Sequence, residues 1–150
     1  MSNNLDSVLL VEDDPNDVVL IRRAFQQASF EPSLTVIQDG DAAITYLREL
    51  LENENQPLPE LILLDLKLPR RSGLEVLEWL RQQPRLKRLL VVALTASRES
   101  SDVNHAYEVG INSYLVKPIT FEELVDLVNL IDRYWLRLNE KPNTLEDFQR

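Results

Sequence analysis

Val, Ile and Leu gather in five short runs along the chain, at 7–12, 33–37, 60–65, 89–94 and 112–116. Each run is strand length, and its apolar residues follow one another with little alternation. That pattern predicts strands buried on both faces, as in a parallel sheet covered by helices. Between the runs the period changes. Segments 15–29, 40–52, 73–82 and 99–109 repeat apolar residues at helical spacing, and a fifth starts at about Thr120. Pro15 suits the first turn of a helix, where its missing N–H costs nothing. Thr120-Phe121-Glu122-Glu123 has the spacing of a capping box. Strict alternation of strand and helix over five units predicts an α/β, doubly wound (βα)5 domain with a parallel sheet.

The fifth helix carries more apolar surface than one contact needs. Phe121, Leu124, Val125, Val128, Ile131 and Trp135 mark one face. Leu127, Leu130, Tyr134 and Leu138 widen it well beyond the ~100° stripe of a helix packed on one side. Either the C-terminal tail folds over the surplus, or a second subunit covers it. An exposed apolar patch of that size favours the subunit. A homodimer is therefore expected, with Leu127, Leu130, Tyr134, Trp135 and Leu138 at its interface. The folded domain is expected over 6–138. The polar tail, 139–150, is too short for an output domain, and Asn53 to Pro59 reads as a polar, Pro-containing loop.

Composition removes several function classes. A net charge of −9, with basic runs no longer than pairs such as Arg22-Arg23 and Arg70-Arg71, argues against nucleic acid as a partner. The chain has no Cys, which excludes disulfides and thiolate metal sites. The three glycines, Gly40, Gly73 and Gly110, cannot compose a phosphate loop or a dinucleotide fingerprint. No segment resembles a signal peptide or reaches transmembrane length. A soluble, cytoplasmic protein without membrane contact is expected.

Charge at the strand ends is more informative. Glu12, Asp13 and Asp14 close the first run, and Asp65 closes the third. Ligands of an open α/β sheet collect beyond the carboxyl ends of the strands, where the chain order reverses. With the order 2-1-3-4-5 that point lies between strands one and three, which would bring Glu12 and Asp13 to Asp65. Crowded carboxylates disfavour one another's ionisation, so the cluster reads as a cation site. Asp14 and Asp17 read instead as helix-start charges that complement the macrodipole. Thr95, at the end of the fourth run, offers a hydroxyl, and Lys117, after the fifth, an ammonium. Together they suit a site that neutralises anionic oxygens.

Leu9-Leu10-Val11-Glu12-Asp13-Asp14, Leu64-Asp65-Leu66-Lys67-Leu68-Pro69 with Gly73, Leu94-Thr95-Ala96 and Val116-Lys117-Pro118 resemble the receiver domain of two-component response regulators. Order and spacing match over about 6–136. The resemblance implies a flavodoxin-like fold and a role for each matched residue. Asp65 would be the phosphoacceptor. Mg²⁺ would be held by Asp13 and Asp65, by the backbone carbonyl of Lys67, and by Glu12 through a water. Lys117 would pair with a phosphoryl oxygen, Thr95 would close on the phosphoryl group, and Tyr114 would change rotamer with it. Lys117-Pro118 resembles the family's cis peptide, expected to aim the ammonium inward. Hard carboxylate oxygens suit Mg²⁺, and phosphoryl transfer depends on positioning and charge neutralisation.

A narrower resemblance links the chain to stand-alone receivers that partner cyanobacterial phytochrome histidine kinases. It rests on the long 47–60 segment, on Leu61-Ile62-Leu63-Leu64-Asp65-Leu66 and on Tyr134-Trp135-Leu136. Such receivers dimerise through the last helix, which agrees with the wide apolar face. This chain departs from their usual Asp-Leu-Asn-Leu-Pro motif at Lys67. That side chain is expected either to lean over the site, where it would hinder a hydrolytic water, or to point to solvent. The expected function is a single-domain switch that catalyses only its own phosphorylation and dephosphorylation and changes protein–protein contacts. The alternatives are a Mg²⁺-dependent small-molecule phosphohydrolase, which commonly has a second Asp where Lys67 stands, and a non-phosphorylated receiver-like scaffold. His105 falls mid-helix with no phosphotransfer bundle around it, and Trp79 and Trp135 read as packing residues.

Overall fold

The apolar runs form β1 (Ser7–Val11), β2 (Ser33–Ile37), β3 (Leu61–Leu64), β4 (Val91–Thr95) and β5 (Ser113–Val116). The helical segments form α1 (Pro15–Gln27), α2 (Gly40–Glu52), α3 (Gly73–Gln82), α4 (Ser100–Val109) and α5 (Phe121–Leu130). The computed structural model describes residues 7–28, 31–53 and 55–142. Residue 6, the expected last residue of the first helix at 29, and the tail from 143 lie outside the described residues. α1 closes at Ala28, whose N–H bonds back to the carbonyls of Ala24 and Gln26. No helix among the described residues is long and apolar enough to cross a membrane.

All strand pairs are parallel, in one sheet of order β2-β1-β3-β4-β5, the expected flavodoxin-like arrangement. Successive side chains of a strand point to opposite faces, so each all-apolar strand feeds two cores. Leu9, Val11, Ile62, Leu64, Val91 and Ala93 pack on one face, under α2, α3 and α4. Val8, Leu10, Leu61, Leu63, Val92 and Leu94 pack on the other, under α1 and α5. The edge strands depart from full burial: β5 is half-buried throughout, and β2 likewise apart from exposed Ser33. Leu89 and Leu90, read as the start of the fourth strand, are buried but precede it. Arg81 holds this approach, with Nη1 donating to the carbonyls of Lys87 and Leu89 and Nε to that of Gly110.

The last helix differs from the expected uniform α-helix. From Ile131 to Leu138 it loosens into a π-helical segment, closed by a 2.7 Å bond from Asn139 N–H to the Tyr134 carbonyl. The wider turn shifts the inward face by one residue. Leu124, Val128 and Ile131 are followed in the core by Leu136, and Trp135 is only half-buried. Of the expected interface residues, Leu127 and Trp135 pack partly on this core. Leu130, Tyr134 and Leu138 remain 61%, 52% and 73% exposed. The chain up to Pro142 leaves these three uncovered. Lys141 turns instead to the carboxylate of Glu60, 2.6 Å away, and to the Leu136 carbonyl.

Candidate functional site

Strand register brings the site together. Val11 pairs with Leu64 and with Ile37, and Thr95 pairs with Val116. The residue after each strand is fastened to its neighbour by backbone bonds: Glu12 N–H to Ile37 O, Asp65 N–H to Val11 O, and Lys117 N–H to Thr95 O, all at 2.8–3.0 Å. The three buried polar residues among the described residues are Glu12, Asp65 and Thr95. A folded chain removes polar groups from water at a cost unless they are paired, so their concentration at one end of the sheet marks a built site. The switch from β1 to α1 places Asp13 there as well, exposed. One carboxylate oxygen each from Glu12, Asp13 and Asp65 lies within 4.8 Å of the others.

Lys117 is the cation of the cluster. Its Nζ lies 2.6 Å from Glu12 Oε1, 2.8 Å from Asp17 Oδ2 and 3.2 Å from Asp65 Oδ2. The Glu12 contact is an ion pair by distance without hydrogen-bond alignment. Burial alone would lower the lysine's pKa, but the bond to Asp17, the Glu12 ion pair and the charge of Asp65 outweigh it and raise the value. Burial pushes Glu12 the opposite way for an acid, up to about 7, against the lowering pull of Lys117 and of the Asp14 N–H. Three carboxylates thus meet one ammonium, and Asp13 adds a fourth beside Glu12 and Asp65. Hard oxygen donors with this excess of negative charge fit a small divalent cation such as Mg²⁺.

Two expectations are corrected here. Asp17 is more than a helix-start charge: it is a direct partner of Lys117. It stands in the first turn of α1, at the end of the helix that follows the β1 strand end. The Lys117–Pro118 peptide is trans, and the ammonium reaches inward from the trans backbone, drawn by the carboxylates. Asp14 behaves as expected, capping α1 by accepting from Asn16 N–H. Between α1 and α5, next to Lys117 and Asp17, lies a cleft of about 300 Å³ that Leu20, Ile21 and Phe121 line in part.

The loop after β3 is equally constrained. Asp65 Oδ1 accepts from Lys67 N–H at 3.2 Å. Gly73 N–H donates to Leu66 O at 3.0 Å, and a Cβ on Gly73 would overlap the Asp65 carbonyl oxygen. The absence of a side chain at Gly73 lets α3 start directly beneath the acceptor. The Lys67 side chain is largely exposed, as in the solvent-facing alternative, with its Nζ 3.3 Å from Asp102 on α4. Thr95 Oγ1 is buried with no hydrogen-bond partner. Tyr114 is half-buried, its hydroxyl donating to the Ser97 carbonyl at 3.0 Å. The contacts of Ser97 and Asp102 carry no signal in the sequence, since a loop Ser and a first-turn Asp are ordinary.

The sequence pattern described as "Response regulator receiver domain" matches residues 8–129. The probable methanogenesis regulatory protein FilR2 of Methanothrix harundinacea is 43% identical over 135 residues, spanning 90% of this chain and 86% of its own length. Response regulator Rcp1 of Synechocystis is 41% identical over 135 residues, spanning 90% and 92%. The solved Mn(2+)-bound form of Rcp1 superposes with a TM-score of 0.80 at 39% identity, covering 92% of this chain and 99% of that one. The phosphorylated cyanobacterial phytochrome response regulator RcpA gives 0.83 at 36% identity, covering 92% and 99%. These relatives are named as regulators, which does not favour the phosphohydrolase alternative.

Proposed function

The chain belongs to the response regulator receiver family, and from that premise we propose that Asp65 accepts a phosphoryl group from a histidine kinase in a cytoplasmic, Mg²⁺-dependent relay. The observation that carries this reading is the convergence of Glu12, Asp13 and Asp65 within 4.8 Å, with the ammonium of Lys117 against Glu12 and Asp65. An Asp65 oxygen attacks phosphorus, the P–N bond to the donor imidazole breaks, and the imidazole keeps the electron pair. Lys117 neutralises a phosphoryl oxygen as charge shifts, and burial keeps that interaction strong. Glu12, Asp13, Asp65 and the Lys67 carbonyl would hold Mg²⁺, which when bound neutralises phosphoryl oxygens and fixes their geometry. The same residues serve hydrolysis of the acyl phosphate, so the only chemistry is on the chain itself. Thr95 then pairs with a phosphoryl oxygen and Tyr114 changes rotamer, altering the surface presented to partners.

A phytochrome-type kinase is the donor this reading favours, because RcpA is a phytochrome response regulator that shares the fold over most of both chains. Incubation with acetyl phosphate and intact-mass analysis test the chemistry. The protein gains one phosphoryl mass with Mg²⁺ present and none after chelation; equal labelling without metal would refute the arrangement. The same reading makes the protein a homodimer through the exposed Leu130, Tyr134 and Leu138. Leu130→Glu is expected to elute as a monomer at a concentration where the wild type is a dimer. An unchanged size would remove that interface.

A further inference from the structure

Two residues beyond Asp65 and two beyond Thr95, the chain meets a single carboxylate on α4. Lys67 Nζ lies 3.3 Å from Asp102 Oδ2, and Ser97 Oγ donates to the same oxygen at 2.5 Å. Ser97 is held from other sides as well. Glu99 N–H donates to its Oγ at 3.3 Å, and the Tyr114 hydroxyl donates to its carbonyl at 3.0 Å. Asp102 stands in the first turn of α4, where the helix dipole favours its charge, and its side chain is only 20% exposed. One residue therefore ties together the loop after β3, the loop after β4 and, through Ser97, the strand β5.

We propose that Asp102 is a positioning residue that holds these three segments in the unphosphorylated arrangement and so restrains phosphorylation of Asp65. The inference rests on the reading of Asp65 as the phosphoacceptor. Thr95 Oγ1 is buried without a partner, and a phosphoryl oxygen on Asp65 supplies one. Drawing Thr95 onto that oxygen carries Ser97 with it, two residues along the same strand end. Ser97 is the group that Asp102 and Tyr114 fasten in place. Contacts made in only one of two states set the population of that state, so releasing Asp102 shifts the balance toward the phosphorylated form. Lys67 adds an ionic part to the restraint. Its side chain is 66% exposed, which makes that part sensitive to salt.

The test uses the full chain with acetyl phosphate and Mg²⁺, following the ratio of phosphorylated to unphosphorylated protein by intact mass. Asp102→Ala is expected to raise the steady-state ratio about fivefold or more, the lower range of coupling between linked sites. Ser97→Ala is expected to raise it by a smaller amount, and the double variant to match Asp102→Ala alone, since that change already breaks the link to Ser97. Added salt raises the ratio in the wild type and leaves Asp102→Ala unmoved, a response that a merely structural role would not produce. Asp102→Asn keeps the shape and one acceptor oxygen, so it reads the same effect at smaller size if the alanine variant does not fold. A ratio in both Asp102 variants equal to or below that of the wild type overturns the inference. A wild type that takes no phosphoryl group at all would instead overturn the reading of Asp65.

Discussion

Lys117→Met is expected to lower the stability of the metal-free protein by about 3 kcal/mol, the low end for removing one partner of a buried ion pair. Lys117 balances Glu12, Asp17 and Asp65 at 2.6–3.2 Å, and Glu12 is almost wholly inaccessible. Without the ammonium, Glu12, already pushed up to about 7, rises further and takes a proton rather than remain charged and unpaired. That escape keeps the loss from reaching the higher values for a stranded buried charge. Labelling by acetyl phosphate is expected to fall at least about a hundredfold, as when a preorganised transition-state donor is removed. Urea unfolding measures the first effect and time-resolved intact mass the second. A variant with wild-type stability and undiminished labelling would contradict the assigned role.

Gly73→Ala is expected to cost a further amount of the same order, about 3 kcal/mol, at the upper end of the overpacking range. The added Cβ meets backbone, the Asp65 carbonyl and the Leu66 Cα, and neither can rotate aside as a side-chain tip would. Relief has to come from moving α3 or the strand end that carries the acceptor. Labelling of the folded fraction should therefore fall together with the melting temperature. Unchanged stability would mean that the loop after β3 is looser than the Gly73 N–H to Leu66 carbonyl bond implies.

The fold was legible because its signals are local and agree with one another. Asp39 caps α2 and Ser72 forms a capping box on α3, and both helices occupy the expected 40–52 and 73–82. The fourth strand starts at Val91 rather than at 89, because Leu89 and Leu90 are as apolar as the strand they precede and an apolar run does not mark where strand pairing begins. The π-helical shift was hidden for a related reason. Trp135 and Leu136 both suit a core, and helical periodicity does not say which turn widens. At the site, the strand-end acids and Lys117 were readable from order alone. Asp17 carries no separate signal, because a first-turn acid has a sufficient explanation in the macrodipole. The meeting of Lys67, Ser97 and Asp102 depends on how three segments pack, and no spacing encodes it.

The central claim is that Asp65 receives the phosphoryl group, and replacing its carboxylate by an amide of the same shape addresses it most directly. Wild type and Asp65→Asn are incubated with acetyl phosphate and Mg²⁺ and weighed intact, with thermal melting confirming that both are folded. The wild type is predicted to gain one phosphoryl mass and Asp65→Asn none. A folded Asp65→Asn protein labelled to the same extent as the wild type would contradict the account.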